Sequence, residues 1–312
     1  MKNVRLLYNP RSGGKRRHTQ LDAALAVLHD SGVNASVIAT QSSDEATAKA
    51  REAVTEGCDT VFACGGDGTI HDVVQGIART PVALAILPLG TANALAHDLR
   101  VPLHPVAAAR AALSAHPRQI ALGQLRYVSL QGKPANCYFV VAAGVGVDAH
   151  LFYKLQSGMK QRLGMAAYYA KAWHLWMTHK MRRFVVEHSE PDGKVVTCSD
   201  VTELLAVRIQ HFGGVLKELA PGASRDRNDV RLVLCRSSSR AVYLRYVFRG
   251  LVGAQWKVSG VELAHSREIE CTLDPAVATN SNRVYIEADG ELLGTIPAQI
   301  GIAPDALTLL VP

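Results

Sequence analysis

The chain has 312 residues, a formal net charge of +7, and a composition of 48% hydrophobic and 20% charged residues. These values are typical of a globular protein with a substantial core and exclude extensive disorder, and the length favours two domains. Six scattered cysteines without a CxxC pair argue against a zinc or disulfide framework, and no apolar stretch approaches the roughly 20 residues that span a bilayer. The N-terminus also lacks the apolar segment of a secretory signal.

Strands and helices alternate over the first 100 residues. The predicted strands are Val4–Tyr8, Ala35–Ala39, Thr60–Cys64 and Val82–Leu87, and the predicted helices are Leu21–His29, Asp44–Val54, Ile70–Ile77 and Ala92–Leu99. This alternation predicts a layered α/β domain with a mostly parallel sheet. Ligands bind such sheets at the carboxyl ends of the strands, so three glycine-containing turns that follow strands are expected to meet at one edge.

After about residue 120 the pattern changes to short strands. We predict them at Gln119–Leu130, Asn136–Ala142, Phe184–His188, Glu203–Gln210, Val230–Cys235, Gly260–Leu263, Glu268–Leu273, Val284–Ala288 and Leu307–Val311. Only Leu163–Lys180 is predicted as a long helix. The fold class is therefore an N-terminal α/β domain (1–125) plus a C-terminal, mainly antiparallel β-sandwich domain (126–312), whose last ~15 residues could return to the first domain.

The strongest motif is Gly65-Gly66-Asp67-Gly68-Thr69, directly after a predicted strand. Glycines let the backbone approach a ligand closely, and exposed amides at a helix N-terminus favour phosphate. A carboxylate repels phosphate, so Asp67 indicates a role in orienting Mg²⁺, a water or a substrate hydroxyl. The alternative is a simple glycine-rich turn with Asp67 as the helix cap.

Two further turns have the same setting but weaker chemistry. Asn9-Pro10-Arg11-Ser12-Gly13-Gly14-Lys15 adds positive charge for phosphates and a side-chain amide for adenine or ribose. Leu87-Pro88-Leu89-Gly90-Thr91-Ala92-Asn93 adds a second possible phosphate contact, with Asn93 suited to cap or orient the turn. Each turn alone is equally consistent with a surface turn.

These three turns, in this order and spacing, resemble the catalytic domain of the diacylglycerol kinase, sphingosine kinase and bacterial lipid kinase superfamily. The resemblance continues through Ala143–Asp148, Phe212–Gly214 with Ala220–Ala223, and Asp289-Gly290-Glu291. It covers nearly the whole chain. It implies an α/β domain and a C-terminal β-sandwich on either side of an ATP cleft.

The resemblance also implies roles for individual residues. Asp289 and Glu291 would supply the base that deprotonates a lipid hydroxyl, with Asp67 as a further catalytic residue. Taken alone, Asp289-Gly290 would instead be a hairpin turn. The residues expected to contact ATP are Asn9, Pro10, Arg11, Ser12, Gly13, Gly14, Thr40, Gly65, Gly66, Gly68, Thr69, Asp72, Gly90 and Thr91.

Some positions depart from the family pattern. Asp72 stands where Glu is usual, and Ala94 and Ala121 stand where many members have acids that help to arrange catalytic Mg²⁺. The loop Ser224–Asp229 corresponds to the family's structural Mg²⁺ loop, with Arg227 at or next to an expected Asp. We expect Asp226 and Asp229 to compensate as ligands of that Mg²⁺.

The window Ala149–Val186 holds seven basic residues and no acid. It could attract anionic lipid headgroups by about 1 kcal/mol per basic residue, attract nucleic acid, or form a solvated face. Within it, Tyr169, Trp173 and Trp176 share one helical face, which is either core or a lipid-facing wall. We expect a lipid substrate and an anionic membrane surface as partners, no nucleic acid, and a cytoplasmic location with peripheral attachment to the inner membrane face; a homodimer stays open.

The predicted function is an ATP-dependent lipid kinase that transfers the γ-phosphate to the hydroxyl of diacylglycerol or a related glycerolipid or sphingoid lipid. Two alternatives remain. An NAD kinase is one, because that family also uses GGDGT. A nucleotide-binding regulatory protein with weakened catalysis is the other, since Ala94 and Ala121 replace acids.

Overall fold

The computed structural model describes residues 1–10, 15–146, 181–213, 219–253, 256–273 and 283–312. Its N-terminal part alternates strands and helices as predicted. The elements are β1 (Val4–Tyr8), α1 (Lys15–Asp30), β2 (Ala35–Ala39), α2 (Ser43–Thr55), β3 (Thr60–Gly65), α3 (Asp67–Ile77), β4 (Ala83–Pro88), α4 (Ala94–Asp98) and α5 (Pro105–Leu113). Strands β2, β1, β3 and β4 are neighbours in that order and run parallel.

Strands β3 and β4 are buried along their whole length and consist of continuous apolar runs, as is typical of the inner strands of a parallel sheet. Helix α2 is capped at its N-terminus by Ser42, whose side chain accepts a hydrogen bond from the Glu45 amide at 3.2 Å. It packs closely on α3, because Gly76 faces Ala50 where an added Cβ would lie 2.4 Å from the alanine Cβ. This contact fixes α2 against the C-terminal end of α3.

The second part is mainly antiparallel, which confirms the predicted fold class. Its elements are β5 (His116–Ser129), β6 (Pro134–Phe139), β7 (Ala142–Gly146), β8 (Phe184–Ser189), β9 (Val195–Val201), β10 (Glu203–Val207), β11 (Val230–Cys235), α6 (Arg240–Val252), β12 (Val261–Ser266), β13 (Ile269–Thr272), β14 (Tyr285–Ala288) and β15 (Glu291–Val311). Strands β12, β11, β10, β7, β14 and β15 follow one another as neighbours.

Strand β15 joins the two parts into one sheet. It pairs antiparallel with β5 along most of its length, and through Thr308 and Leu309 it pairs parallel with β4. Strand β5 itself crosses residue 125, so the boundary at that residue stays a prediction.

Several predicted elements differ from the structure. The strand predicted at Asn136–Ala142 is divided between β6 and β7, and the predicted helix Leu163–Lys180 lies outside the described residues. The expectation of only one long helix was wrong, because Arg240–Val252 forms α6. Its aromatic and β-branched residues have weak helix propensity, so packing on the sheet decides its conformation. In the described ranges, no helix combines the length and hydrophobicity needed to cross a membrane.

Candidate active site

The three predicted turns meet at one edge of the parallel sheet. Tyr8 pairs with Cys64 and Ala39, so strands β1, β2 and β3 end in register. The Asn9 amide donates to the Cys64 carbonyl at 3.3 Å, and the Thr40 amide donates to the Tyr8 carbonyl at 2.9 Å. The expected convergence is therefore confirmed for the described part of each turn.

The turns after β3 and β4 touch through their glycines. A Cβ added to Gly90 would lie 2.3 Å from the Cα of Gly66, so the two backbones pack without room for a side chain. Asn93 fixes this approach, because its Oδ1 accepts from the Gly90 amide at 3.0 Å and its Nδ2 donates to the Gly90 carbonyl at 2.9 Å. The predicted orienting role of Asn93 is confirmed.

Asp67 begins α3 beneath these turns. Burial raises the pKa of Asp67, while the backbone amides of Leu95, Ala94 and Asn93 oppose that rise. Its Oδ1 atom is buried and has no hydrogen-bond partner in the described chain. An orphaned carboxylate oxygen beside a phosphate-sized turn fits a bound cation, so Asp67 fits the Mg²⁺ of a magnesium–nucleotide complex.

Asp72 lies one turn further along α3 and faces α2. Its carboxylate accepts a short hydrogen bond from the Ser43 hydroxyl, and its carbonyl accepts from the Thr47 hydroxyl at 2.9 Å. Burial raises the pKa of Asp72, which the hydrogen bond from Ser43 partly opposes. These contacts tie Asp72 to the scaffold while leaving it at the site's margin.

Asp289 reaches the site from the distant end of the chain, but its carboxylate is held by protein groups. Its Oδ1 accepts from the Val141 amide at 2.8 Å and the Ala142 amide at 3.2 Å, and its Oδ2 accepts from the Val140 amide at 3.0 Å. The Asp289 Oδ2 also lies 3.2 Å from the His71 Nδ1. The side chain is 2% exposed, so its oxygens are occupied and sheltered.

Glu291 is placed differently by the same hairpin. Asp289 and Gly290 form the turn between β14 and β15, with φ values of 51° and 85°. The two residues therefore form the hairpin turn considered from the sequence and also lie in the candidate site. The Glu291 Oε1 lies 2.8 Å from where a Cβ on Gly68 would stand. Burial raises the pKa of Glu291, and the charge of Asp72 adds to that rise. A carboxyl group thus overlies the glycine-rich turn.

His71 is a site residue that sequence reasoning missed, since no role was assigned to any histidine. It is buried with its ring against Asp289. Burial lowers the pKa of His71, but the hydrogen bond and charge of Asp289 outweigh this, and the net pKa is raised. Its position four residues after Asp67 places both on one face of α3, which is the signal that could have identified it.

A buried guanidinium occupies the loop where the structural Mg²⁺ was expected. Arg208 is 1% exposed and donates to the carbonyl oxygens of Arg225 and Ala121 at 2.8 Å, Arg227 at 2.6 Å and Asp229 at 2.5 Å. Burial lowers the pKa of Arg208 to about 10, so it remains charged at neutral pH. Four carbonyls therefore surround one internal cation.

Both predicted metal ligands pair with basic side chains of the protein. Asp226 pairs with Arg118 at 3.0 Å, and Asp229 pairs with Arg227 and lies 3.2 Å from His265. Within the ranges that the structure describes, no three His, Cys, Asp or Glu side chains are grouped to hold a metal ion. Mg²⁺ on Asp226 and Asp229 therefore stays a prediction, and the buried guanidinium of Arg208 already supplies positive charge in this loop.

Of the other predicted site residues, some lie at the turns of the candidate site and some lie outside the described ranges. Gly65 is crowded by Thr69, whose Oγ1 would lie 2.2 Å from an added Cβ, while Thr91 is exposed at the opening. Arg11, Ser12, Gly13 and Gly14, and the aromatic residues Tyr169, Trp173 and Trp176, lie outside the described residues.

Comparison with known proteins identifies the family. The diacylglycerol kinase catalytic domain matches residues 3–125, and the YegS C-terminal NAD kinase beta sandwich-like domain matches residues 140–311. A diacylglycerol kinase of Bacillus subtilis (strain 168) is 29% identical over 303 residues, which cover 96% of this chain and 93% of that protein.

Solved structures share the fold. A diacylglycerol kinase from Bacillus anthracis matches with a TM-score of 0.71 and 18% identity, over 100% of this chain and 97% of that one. Yeast NADH kinase complexed with NADH matches more distantly, with a TM-score of 0.53 and 10% identity, over 100% of this chain and 84% of that one. The two domain matches together span almost the whole sequence. The chain therefore belongs to the diacylglycerol kinase family of lipid kinases.

Proposed function

We propose that the protein binds ATP at the meeting point of the three turns and transfers its γ-phosphate to the hydroxyl of diacylglycerol or a related glycerolipid or sphingoid lipid. The observation that carries this proposal is that one glycine-rich turn has the Glu291 carboxyl over its Gly68 and contains the orphaned oxygen of Asp67. A base and a cation ligand thus flank one phosphate-sized turn. The B. subtilis relative, which carries the name diacylglycerol kinase, supports the choice of lipid.

Phosphoryl transfer depends on alignment and charge neutralisation more than on covalent chemistry. The amides after β3 and β4 would hold the phosphates, and Asp67 would hold Mg²⁺ through its Oδ1. When bound, Mg²⁺ neutralises charge on the phosphate oxygens. Gly66 and Gly90 let the turns after β3 and β4 pack against each other, which would bring the amides of both turns to the same phosphates.

Glu291 is the proposed base, and Asp289 is a positioning residue. As the lipid oxygen attacks the γ-phosphorus, Glu291 accepts the hydroxyl proton and the bond to ADP breaks. A pKa raised by burial brings this carboxylate nearer to the operating pH. Asp289 accepts three backbone hydrogen bonds and faces His71, so its role is to fix the hairpin that carries Glu291.

The test compares Glu291→Gln with the exposed control Glu270→Gln, using labelled ATP and a panel of lipids with NAD included as an acceptor. We predict a fall in kcat of about 100- to 10,000-fold for Glu291→Gln and near wild-type turnover for the control. Thermal unfolding should change little in either variant.

Three outcomes discriminate the readings. Phosphorylation of a lipid but not NAD supports the proposal, whereas phosphorylation of NAD alone replaces it with NAD kinase activity. ATP binding without any phosphorylated product favours the nucleotide-binding regulatory protein. Unchanged kcat in Glu291→Gln contradicts the assignment of the base.

A membrane-bound substrate also suggests where the protein works. We propose peripheral attachment to an anionic membrane surface, since diacylglycerol is confined to bilayers and the chain carries a net charge of +7.

A further inference from the structure

Helix α6 carries an exposed apolar stripe. Leu244, Phe248 and Val252 are spaced four residues apart and are 42%, 57% and 44% exposed, and Trp256 follows at 41%. Residues at this spacing share one helical face. The other large apolar side chains exposed in the described chain are scattered singly, so this stripe is a continuous feature and needs an explanation.

The opposite face of α6 is fixed to the protein. The Tyr246 hydroxyl donates to the Leu219 carbonyl, and the Arg249 guanidinium lies 4.6 Å from the Tyr246 ring centre. Gly250 is buried beside them. These contacts prevent the helix from rotating to bury its apolar stripe, so the stripe faces outward in the folded protein.

The stretch of chain that contains the stripe carries charged residues of one sign. Between Asp229 and Glu262 the sequence contains six basic residues and no acid. Arg245 and Lys257 are exposed beside the stripe. A helix with an apolar face flanked by arginine and lysine is typical of segments that lie in the interface of an anionic bilayer.

A second copy of the chain is a poorer occupant of this surface. A two-fold interface through α6 would bring the same cationic patch of both copies together, which is repulsive. Nucleic acid matches the charge but not a stripe of leucine, phenylalanine and valine. The combination of apolar and cationic groups favours lipid.

The stripe lies close to the reaction site. Tyr246 belongs to a small core with Val207 and Val233, against which Ala142 packs. The Ala142 amide holds the Asp289 carboxylate at 3.2 Å. A single packed layer therefore separates α6 from the strand that supports the catalytic hairpin.

We infer that α6 is the membrane-docking element of the protein, with Leu244, Phe248, Val252 and Trp256 inserted among the headgroups of an anionic bilayer. This inference depends on the proposed function in one respect: the lipid acceptor would come from the bilayer to which the protein is docked. The docking residues are not among those of the window Ala149–Val186 considered from the sequence.

The binding test uses the full chain with vesicles of phosphatidylcholine alone or mixed with phosphatidylglycerol. Leu244→Ser/Phe248→Ser should lower binding to the mixed vesicles by about tenfold or more, because two apolar side chains no longer insert. Arg245→Glu should lower it by about fivefold or more, since each basic group near an anionic surface contributes a factor of about five. Val195→Ser, at another exposed apolar position, should bind like the wild type.

Turnover of a lipid dispersed in detergent micelles separates this inference from the proposed function. Variants that keep micellar turnover but lose vesicle binding support docking through α6. Wild-type vesicle binding by Leu244→Ser/Phe248→Ser, equal binding of the wild type to neutral and mixed vesicles, or a stable dimer that Phe248→Ser dissociates would each overturn it. If the wild type does not phosphorylate the lipid in micelles, the proposed function is contradicted. The vesicle-binding measurements would still test docking through α6 in that case.

Discussion

At the scale of single residues, the site separates two neighbouring carboxylates by their surroundings. Asp289 is enclosed by backbone amides and His71, whereas Glu291, two residues later, overlies Gly68. The sequence predicted both acids near the glycine turn, and this juxtaposition is confirmed. It did not distinguish them, because the amides that occupy Asp289 come from residues 140–142, far away in the chain.

The ion pair of His71 predicts a pH dependence of stability. Its folded pKa is raised above 6.5, so the pair contributes stability that is fully present below about pH 6.5 and is lost as pH rises through the folded value. We expect the stability advantage of wild type over His71→Asn to shrink with rising pH. Urea unfolding at several pH values measures this, with the exposed His29→Asn as control. A difference that is constant with pH would contradict the assignment.

The close packing of Gly90 on Gly66 predicts that a side chain at position 90 would disturb the proposed phosphate-binding turns. Gly90→Ala places a Cβ 2.3 Å from the Cα of Gly66, so one of the two turns must move. We expect ATP affinity to fall by about tenfold or more, because displaced amides no longer converge. Calorimetric titration measures the affinity. Gly301→Ala is the matched control, since its Cβ meets nothing closer than 3.9 Å; equal affinities in both variants would refute the requirement.

At the scale of elements, local pattern was sufficient for several short strands. The bounds predicted for Val4–Tyr8, Ala35–Ala39 and Val230–Cys235 are those of the structure. Strand β15 was recognised only at its end, because Pro297 and Pro304 argue against a continuous strand. The structure accommodates both prolines at register shifts, which depend on the partner strand β5 and cannot be read locally.

The loop around Arg208 predicts stability without a metal. Arg208→Met leaves four carbonyls without their donor and should lower the free energy of unfolding by about 3 kcal/mol or more. The exposed Arg236→Met should cost about 1 kcal/mol or less. Thermal unfolding of the wild type should be unchanged by EDTA. A clear fall in Tm on chelation would instead indicate a metal in this loop.

At the scale of the whole molecule, strand β15 joins the N-terminal and C-terminal parts in one hydrogen-bonded sheet. It pairs with β14 beside the site and with β4 in the parallel sheet, so the sheet has no break between the parts. The family resemblance predicted two flanking domains. The sequence allowed the last ~15 residues to return to the first domain, but it could not predict that the same strand would also pair with β14 and β5, because strand pairing over such a separation leaves no local pattern.

This continuity predicts coupled unfolding. Leu309 is fully buried where β15 meets β4, and Leu309→Asp would place a charge there. We expect a single thermal transition at a lower Tm in Leu309→Asp, in which the change in tryptophan fluorescence and the loss of ATP binding coincide. The exposed Leu103→Asp should leave Tm nearly unchanged. Two separate transitions in Leu309→Asp would show that the parts unfold independently.

The hairpin at Asp289 and Gly290 also sets how the enzyme can adjust to its substrate. Glu291 is the first residue of a strand of 21 residues, about 70 Å long when extended. The distance of its carboxylate from the glycine-rich turn is therefore set by the pairing register of that strand and not by the movement of a flexible loop. Slipping that strand by one position would turn the carboxylate to the opposite side of the sheet. Under the proposed function, a bulky lipid acceptor would therefore have to move toward a fixed Glu291 carboxylate.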